Sequence, residues 1–375
     1  MAFASVERLK TAAEKNPLVV KEAKEKGKKI VGLYCLYSPA EIALAAGAAP
    51  MVLCGTRNDS IATAEETLPR NLCPLIKSSY GFAVQGTCPY FSASDIIVAD
   101  TTCDGKKKMF EYMSEIKPLH LLYLPHGPHL PEARVFWAAE MRRLVERLEK
   151  EFGVSIGEDD LAKAIALANR ERAALKGLMD LSRQKPAPLS GMTMLELLFK
   201  SGFFADKEEI IDMLEEIVAE VSAAPQNGAS EGPRVLLTGV PVGMGSHKVV
   251  KLIEDAGARV VAFENCTGYK KTLPVATDKP PLEALAERYL ATPCSIMSPN
   301  TARFDLLDEM IRDFSADAVV DLTWQACHTY NVEAGKVRRF VQDKGLPYLQ
   351  IETDYSEADT EQLKVRIEAF LEMMH

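Results

Sequence analysis

The chain of 375 residues has a formal net charge of −9, with 47% hydrophobic and 26% charged residues. This composition is typical of a globular protein with two or three domains. The negative charge and the lack of a basic stripe argue against a nucleic-acid-binding protein. The sequence contains no run of about 18 apolar residues, so it predicts no membrane span.

Residues 1–27 alternate Lys and Glu with apolar positions, which predicts a surface helix rather than a signal peptide. The chain contains eight cysteines, and without an export signal we expect a cytoplasmic protein whose thiols stay reduced. In such a protein, groups of cysteines serve metal binding or redox chemistry more often than disulfides. The cysteines are therefore the first candidates for function.

Strand-like and helical segments alternate between residues 28 and 130, which indicates a parallel sheet with helices on its faces. The predicted strands are Lys29–Tyr34, Pro50–Gly55, Ile96–Asp100 and Leu119–Pro125. The predicted helices are Pro39–Gly47, Leu75–Phe82 and Lys106–Ile116.

The pattern changes in residues 131–224, where apolar residues recur at helical spacing and predict a helical insert. Proline, glycine and small polar residues make Ala223–Pro233 the best linker candidate. A second alternation fills residues 225–375. Its predicted strands are Arg234–Gly239, Arg259–Glu264, Ala318–Thr323 and Tyr348–Glu352, and its predicted helices are Ser246–Ala256, Pro281–Thr292, Phe304–Phe314, Val332–Lys344 and Asp359–Met374. We therefore expect two α/β domains, residues 28–130 and 225–375, with doubly wound parallel sheets of the flavodoxin or Rossmann type.

Several of the cysteines come just after predicted strands. Cys103 comes directly after Ile96–Asp100, and in an open α/β sheet the loop leaving a strand's carboxyl end is where ligands bind. Six cysteines fall in loops or at strand ends, three from each half, and a cleft between the domains could gather them: Cys73, Cys88, Cys103, Cys266, Cys294 and Cys327. Cys54, inside a predicted strand, and Cys35, at the end of another, are interpreted as packing residues.

The spacing of the cysteines favours an iron–sulfur site assembled by tertiary structure. Zinc ribbons and fingers use short C-x₂₋₄-C pairs, and the sequence contains none. Ferredoxin-type runs are absent as well, whereas thiolates that are widely spaced in sequence can still hold a cluster when the fold supplies the geometry.

Two further motifs have a functional and a structural interpretation. The loop from Gly239 to Ser246 could bind an anion through the N–H groups of Gly243 and Gly245, or it could be a tight strand–helix turn. It is neither a Walker A loop nor a complete G-x-G-x-x-G. Lys106, at a predicted helix start after Cys103, could offset the charge of a thiolate-bound cluster or belong to a solvated face.

The chain resembles the iron–sulfur component of the 2-hydroxyacyl-CoA dehydratase and benzoyl-CoA reductase family in four segments: YCLYSPAEIALAAGAAP, NLCPLIKSSYG, TTCDGKKKMFE and WQACHTY. The resemblance extends from about Lys28 to the C-terminus and implies two α/β domains with a cluster in the cleft between them. It implies that Cys73, Cys103 and Cys327 hold a [4Fe-4S] cluster with one iron open to substrate.

Three further cysteines depart from the dehydratase pattern. Cys88, Cys266 and Cys294, with the segments ENCTG and TPCSIMSPN, resemble the double-cubane cluster proteins of the same superfamily, in which six cysteines hold an [8Fe-9S] cluster. The resemblance implies that these three bind the second cubane. Proximity to the family motifs makes His328, Ser38 and Glu41 candidates for catalytic residues facing a substrate.

The function implied by the resemblance is an iron–sulfur oxidoreductase component. A homodimeric ATPase activator with its own [4Fe-4S] cluster would supply low-potential electrons, and this protein, as a homodimer, would reduce a small-molecule substrate. Three alternatives remain open. They are a 2-hydroxyacyl-CoA dehydratase subunit with one [4Fe-4S] cluster, a non-catalytic metal-storage or electron-carrier protein, and an α/β binding protein with structural cysteines.

Overall fold

Two four-stranded parallel sheets organise the chain, one in each half. The computed structural model describes residues 3–225 and 232–374, so most of the predicted linker Ala223–Pro233 lies outside the described residues. The first sheet has the order β2-β1-β3-β4, with β1 Ile30–Tyr34, β2 Ala49–Leu53, β3 Ile96–Asp100 and β4 Leu119–Leu122. The second repeats it as β6-β5-β7-β8, with β5 Arg234–Gly239, β6 Arg259–Phe263, β7 Ala318–Trp324 and β8 Tyr348–Thr353.

Helices connect and cover the strands, as the predicted α/β class requires. In the first half they are α1 Ala4–Glu25, α2 Ala40–Ala45, α3 Ile61–Ala64, α4 Pro74–Gln85, α5 Pro89–Ala93 and α6 Asp104–Ile116. The second half contains α11 Lys248–Asp255, α12 Pro281–Leu290, α13 Thr301–Asp313, α14 His328–Asp343 and α15 Thr360–Glu372. Strands such as β3 are buried along their whole length, which explains their unbroken apolar sequences. No helix in the described part of the chain is long and apolar enough to cross a membrane.

The segment between the two sheets is helical along its described length. It contains α7 Pro131–Phe152, α8 Glu158–Asp180, α9 Gly191–Lys200 and α10 Lys207–Ala223, with short 3₁₀ helices at Leu181–Arg183 and Ser201–Phe203. Asp206 caps α10 by accepting from the N–H groups of Glu208 and Glu209, as a capping residue at that position should. The N-terminal helix packs against this segment, because the Glu220 carboxylate accepts from the N–H groups that start α1.

Two predicted strands end at least two residues earlier than expected. The sequence predicts a strand to Pro125, but β4 ends at Leu122 because the next N–H groups bond to side chains instead of to β3. Tyr123 donates to the Glu140 carboxylate at 2.9 Å, and Leu124 donates to the Thr101 hydroxyl at 2.9 Å. Similarly, β2 ends at Leu53, so Cys54 lies beyond the strand. The sequence analysis also missed the short helices α3 and α5.

The carboxyl ends of the two sheets face each other. The Thr56 hydroxyl, just after β2, donates to the Met244 carbonyl of the second half at 2.9 Å. The Tyr355 hydroxyl, just after β8, donates to the Gly55 carbonyl at 3.1 Å. In both sheets the chain order reverses between neighbouring strands, at β1/β3 and at β5/β7. These switch points open a crevice at the carboxyl ends, where ligands bind in open α/β sheets.

Candidate functional site

A cavity of about 1190 Å³ lies where the carboxyl ends of the two sheets meet. Both halves of the chain line it, and its wall includes seven cysteines: Cys35, Cys54, Cys73, Cys103, Cys266, Cys294 and Cys327. Five of these follow a strand, namely β1, β2, β3, β6 and β7. Because parallel strands end at a common edge, residues distant in sequence converge there.

Three of the cavity thiols belong to residues at helix N-cap positions. Cys73, Cys103 and Cys327 are the N-cap residues of α4, α6 and α14. N–H groups in the first helical turns favour the thiolate forms of these residues: those of Leu75 and Ile76 for Cys73, of Lys106 for Cys103 and of Tyr330 for Cys327. Helix N-termini stabilise negative charge, so three positive helix ends point at one group of thiols. We call these residues the capping trio.

The capping trio is also internally connected. The interaction between the Cys73 and Cys327 thiols lowers the pKa of Cys73 and raises that of Cys327. Burial raises the pKa of Cys103, and its neighbour Cys327 raises it further. The three sulfurs therefore lie within electrostatic reach of one another.

A second group consists of Cys35, Cys266 and Cys294, which we call the buried trio. Burial raises the pKa of Cys266 to about 12, with a further contribution from Cys294. Burial also raises the pKa of Cys35 well above its ordinary value, and both other thiols of this trio add to the effect. Two groups of three thiols thus face one cavity, each drawing residues from both halves of the chain.

Backbone strain coincides with these thiols. Cys35 has a φ of 79° and Ala326, next to Cys327, has a φ of 59°. Side-chain-bearing residues in this left-handed region cost about 1–2 kcal/mol each. Such outliers concentrate at functional sites, where the surrounding structure holds them in place.

The thiols have the chemistry of an iron–sulfur ligand set. Within residues 3–225 and 232–374, no three His, Cys, Asp or Glu side chains converge on a single metal ion. A polynuclear cluster has no such requirement, because each thiolate binds a different iron. Several buried polar atoms without a hydrogen-bond partner lie beside the cysteines: Thr102 Oγ1 by Cys103, Asn265 Nδ2 by Cys266 and Thr292 Oγ1 near Cys294. Of these residues Thr102 lines the cavity, where bound inorganic sulfide or water would give its hydroxyl a partner.

Cys88 lies elsewhere. It is the N-cap of α5, and its sulfur accepts from the N–H of Phe91 at 3.5 Å, outside the cavity lining. The sequence analysis assigned Cys88 to the site as one of six cysteines in loops or at strand ends, and through the resemblance to double-cubane cluster proteins. The unforeseen helix α5 instead turns the thiol onto its own first turn. Cys35, interpreted as packing, lines the cavity in its place. Cys54 lines the wall as well, with its pKa raised to about 11 by burial.

Lys106 lines the cavity beside the thiols and does not belong to a solvated face. Its Nζ is 3.7 Å from Asp100 Oδ1 at the end of β3. Burial opposes the charge of Lys106, but Asp100 and the nearby thiols of Cys35, Cys103 and Cys266 raise its pKa above the ordinary value. The cavity therefore contains a buried cation that faces members of both trios.

Of the three candidates for catalytic residues, one lines the cavity and two are buried outside it. His328 lines the cavity as the first residue of α14. Ser38 is buried outside the lining, and its hydroxyl donates to the Tyr34 carbonyl at 2.8 Å. Glu41 is fully buried, pairs with Arg172 and accepts from the Tyr289 hydroxyl at 2.8 Å. Ser38 and Glu41 therefore hold packed elements together, and the structure gives neither one access to the cavity.

In the glycine loop after β5, the N–H groups of the two candidate glycines form hydrogen bonds within the loop. The N–H of Gly243 donates to the Ser246 hydroxyl at 3.1 Å, and that of Gly245 donates to His247 Nδ1 at 3.0 Å. A Cβ at Gly243 would lie 2.4 Å from the Phe199 ring, and Gly245 has a φ of 105°. These glycines let the halves approach closely, which argues against an anion site at Gly243 and Gly245.

A buried ionic cluster beside the cavity escaped the sequence analysis. Lys270 Nζ lies 2.9 Å from Glu264 Oε1 and donates to the Tyr330 hydroxyl at 3.0 Å. Arg303 contacts the same carboxylate at 3.4 Å and lies over the Tyr330 ring. Tyr330 lines the cavity, so this cluster fixes part of its wall. These residues had no sequence signal beyond the proximity of Glu264 to Cys266 and of Tyr330 to Cys327.

Fold and site together define an α/β protein with two Rossmann-like halves and a cysteine-lined cavity between their sheets. Residues 35–374 match the family model of the 2-hydroxyglutaryl-CoA dehydratase D-component. The chain belongs to this family, which confirms the predicted superfamily.

Named relatives agree along nearly the whole chain. The chain is 47% identical over 361 residues to the putative dehydratase subunit YjiM of Escherichia coli K12, covering 95% of this chain and 94% of the relative. It is 24% identical to the (R)-phenyllactyl-CoA dehydratase beta subunit of Clostridium sporogenes, with 95% and 94% covered. It is 22% identical to the (R)-2-hydroxyglutaryl-CoA dehydratase subunit beta of Acidaminococcus fermentans, with 99% of each covered.

Proposed function

We propose that this chain is an iron–sulfur oxidoreductase component that reduces a small molecule at a double-cubane [8Fe-9S] cluster. The observation that supports the proposal is the presence of two cysteine trios in one cavity. The capping trio of Cys73, Cys103 and Cys327 would hold one cubane, and the buried trio of Cys35, Cys266 and Cys294 the other. This set keeps five of the six predicted ligands and replaces Cys88 by Cys35.

When bound, such a cluster supplies low-potential electrons to a substrate in the cavity. The chain's own residues provide the environment. The ends of α4, α6 and α14 stabilise the capping-trio thiolates, and Lys106 offsets part of the remaining negative charge. His328, on the cavity wall, is the candidate proton donor. Ordinary small-molecule sites have volumes of about 300–1,000 Å³, and the volume of this cavity is larger. It therefore leaves room for a ligand beside a cluster.

The proposal includes a partner that delivers electrons. A cluster held by many thiolates is hard to reduce, because its potential falls with its negative charge. An ATP-hydrolysing activator with its own [4Fe-4S] cluster would drive the electrons in, and we propose that this chain functions as a cytoplasmic homodimer beside it.

The relatives support a second candidate. Their printed names describe subunits of 2-hydroxyacyl-CoA dehydratases, a function for which the capping trio and a single [4Fe-4S] cluster would suffice. The buried trio would then be without a ligand role.

Iron and acid-labile sulfide per chain, measured after purification without oxygen, separate the two candidates. A double cubane gives about eight irons and nine sulfides, and a single cubane about four of each. Protein with the higher count would then be tested for reduction of small acceptors in the presence of activator and ATP. Colourless protein without iron would refute both candidates. Cys54→Ala is the matched control, since Cys54 shares the cavity wall but belongs to neither trio.

A further inference from the structure

One cavity lysine lacks the carboxylate partner that comparable lysines have. The buried lysines elsewhere in the described chain are paired: Lys77 with Glu65 at 2.7 Å, Lys207 with Glu171 at 2.8 Å, Lys270 with Glu264 at 2.9 Å and Lys248 with Asp359. Lys271 also lines the cavity and is partly buried. Within residues 3–225 and 232–374 it has no carboxylate within 4.0 Å, and its polar contact is the Leu198 carbonyl at 3.3 Å.

The ammonium of Lys271 is held in a fixed position. The residue ends the 3₁₀ helix Tyr269–Lys271, and the carbonyl it contacts belongs to the last turn of α9, where a helix favours a cation. Leu198, Phe199 and Val242 line the cavity together with Lys271, and Leu198 provides the carbonyl that Lys271 contacts.

The charge of Lys271 is only weakly compensated. Burial lowers the pKa of Lys271 to about 8, and the carboxylate that acts against this effect, that of Glu171, is already paired with Lys207. Buried charges in folded proteins are almost always paired, because an unpaired one loses its hydration without compensation. A missing anionic partner is therefore the simplest account of a lysine in this position.

The surroundings select the type of anion. Phosphate groups are bound by several converging donors such as arginines or free N–H groups at helix starts. The nearest candidate for such a cradle, the loop with Gly243 and Gly245, uses its N–H groups internally. One ammonium beside apolar side chains instead matches a single carboxylate with a short hydrocarbon chain.

We propose that Lys271 binds the carboxylate of a small organic acid, so that the substrate of this cavity is an anion of that class. The inference rests on the proposed function, because it assigns the part of the cavity that the cluster leaves free. The competing partner is the cluster itself, since Cys266 also lies near Lys271. Lys106, surrounded by thiols of both trios, is better placed for that role.

The test measures binding of butyrate to anaerobically purified protein by titration calorimetry, with butyramide and inorganic phosphate as comparison probes. Butyrate should bind, whereas its uncharged amide and phosphate should bind more weakly. Lys271→Met should weaken butyrate binding by about 10- to 100-fold, the range expected for one charged hydrogen bond. Lys271→Arg should retain much of the affinity. Lys336→Met, at an exposed lysine of the same cavity wall, should leave it unchanged.

Iron and sulfide are measured in every variant. Equal butyrate affinity in wild type and Lys271→Met would overturn the proposal, as would tighter binding of phosphate than of butyrate. Loss of iron in Lys271→Met would assign the lysine to the cluster and overturn it as well. Wild-type protein without iron would refute the proposed function alone, because Lys271-dependent binding of butyrate remains measurable in cluster-free protein.

Discussion

Replacing Cys35 and Cys88 by serine in separate variants would decide the ligand set. Cys35 follows a predicted strand inside a family motif, and Cys88 lies between two family motifs. The structure separates them: Cys35 lines the cavity with Cys266 and Cys294, whereas Cys88 caps α5. A hydroxyl is a poor iron ligand at neutral pH, so only one of the two substitutions should affect the cluster.

The expected change in iron content per chain follows from which trio each cysteine belongs to. Cys35→Ser removes one of three thiols of the buried trio, and iron should fall from about eight toward about four per chain while the capping trio keeps its cubane. Cys88→Ser should keep full iron, because a serine hydroxyl is a good N-cap acceptor and can replace the sulfur that accepts from Phe91. Its free energy of unfolding should change by less than about 1 kcal/mol.

A third variant distinguishes ligation from packing. Cys35→Gly also removes the thiol, but glycine adopts the φ of 79° without strain. Cluster-free protein should therefore become more stable by about 1 kcal/mol while the holoprotein loses iron. The assays are iron and sulfide analysis and urea unfolding of cluster-free protein. Full iron in Cys35→Ser, or loss of iron in Cys88→Ser with an unchanged fold, would refute the assignment.

Three further substitutions test other parts of the structure. Glu41→Gln should lower the free energy of unfolding by about 3–5 kcal/mol in urea and leave iron unchanged, because it removes the counter-charge of buried Arg172. Burial alone would raise the pKa of Glu41, but Arg172 holds it below the ordinary value, so this stabilisation should disappear as pH falls through that lowered pKa. Lys106→Met should shift the cluster midpoint potential to more negative values by on the order of tens of millivolts in redox titrations, and an unchanged potential would remove Lys106 from the cluster environment. Ala326→Gly should raise the unfolding free energy by about 1 kcal/mol with iron retained, since its φ is 59°, and a destabilised variant would contradict the assigned strain.

The sequence alone determined the fold class and the positions of most elements. Runs such as Ile96–Asp100 and Arg234–Gly239 coincide with β3 and β5, because strands buried on both faces require unbroken apolar sequence. The local sequence pattern also predicted the helices that follow these two strands. It placed Cys103, Cys266 and Cys327 just after predicted strands, and the carboxyl ends of parallel strands share one edge of the sheet.

Tertiary structure alone decided which thiols share the cavity. Whether Cys35 or Cys88 faces it depends on a positive φ after β1 and on a five-residue helix, and neither has a strong local signal. Glu41 lies within a family motif, yet its partners Arg172 and Tyr289 come from distant helices and hold it in a packed interface. The unpaired state of Lys271 is likewise invisible in sequence, because it depends on where every carboxylate of the described chain lies. Chain-wide packing, rather than local periodicity, fixes such long-range contacts.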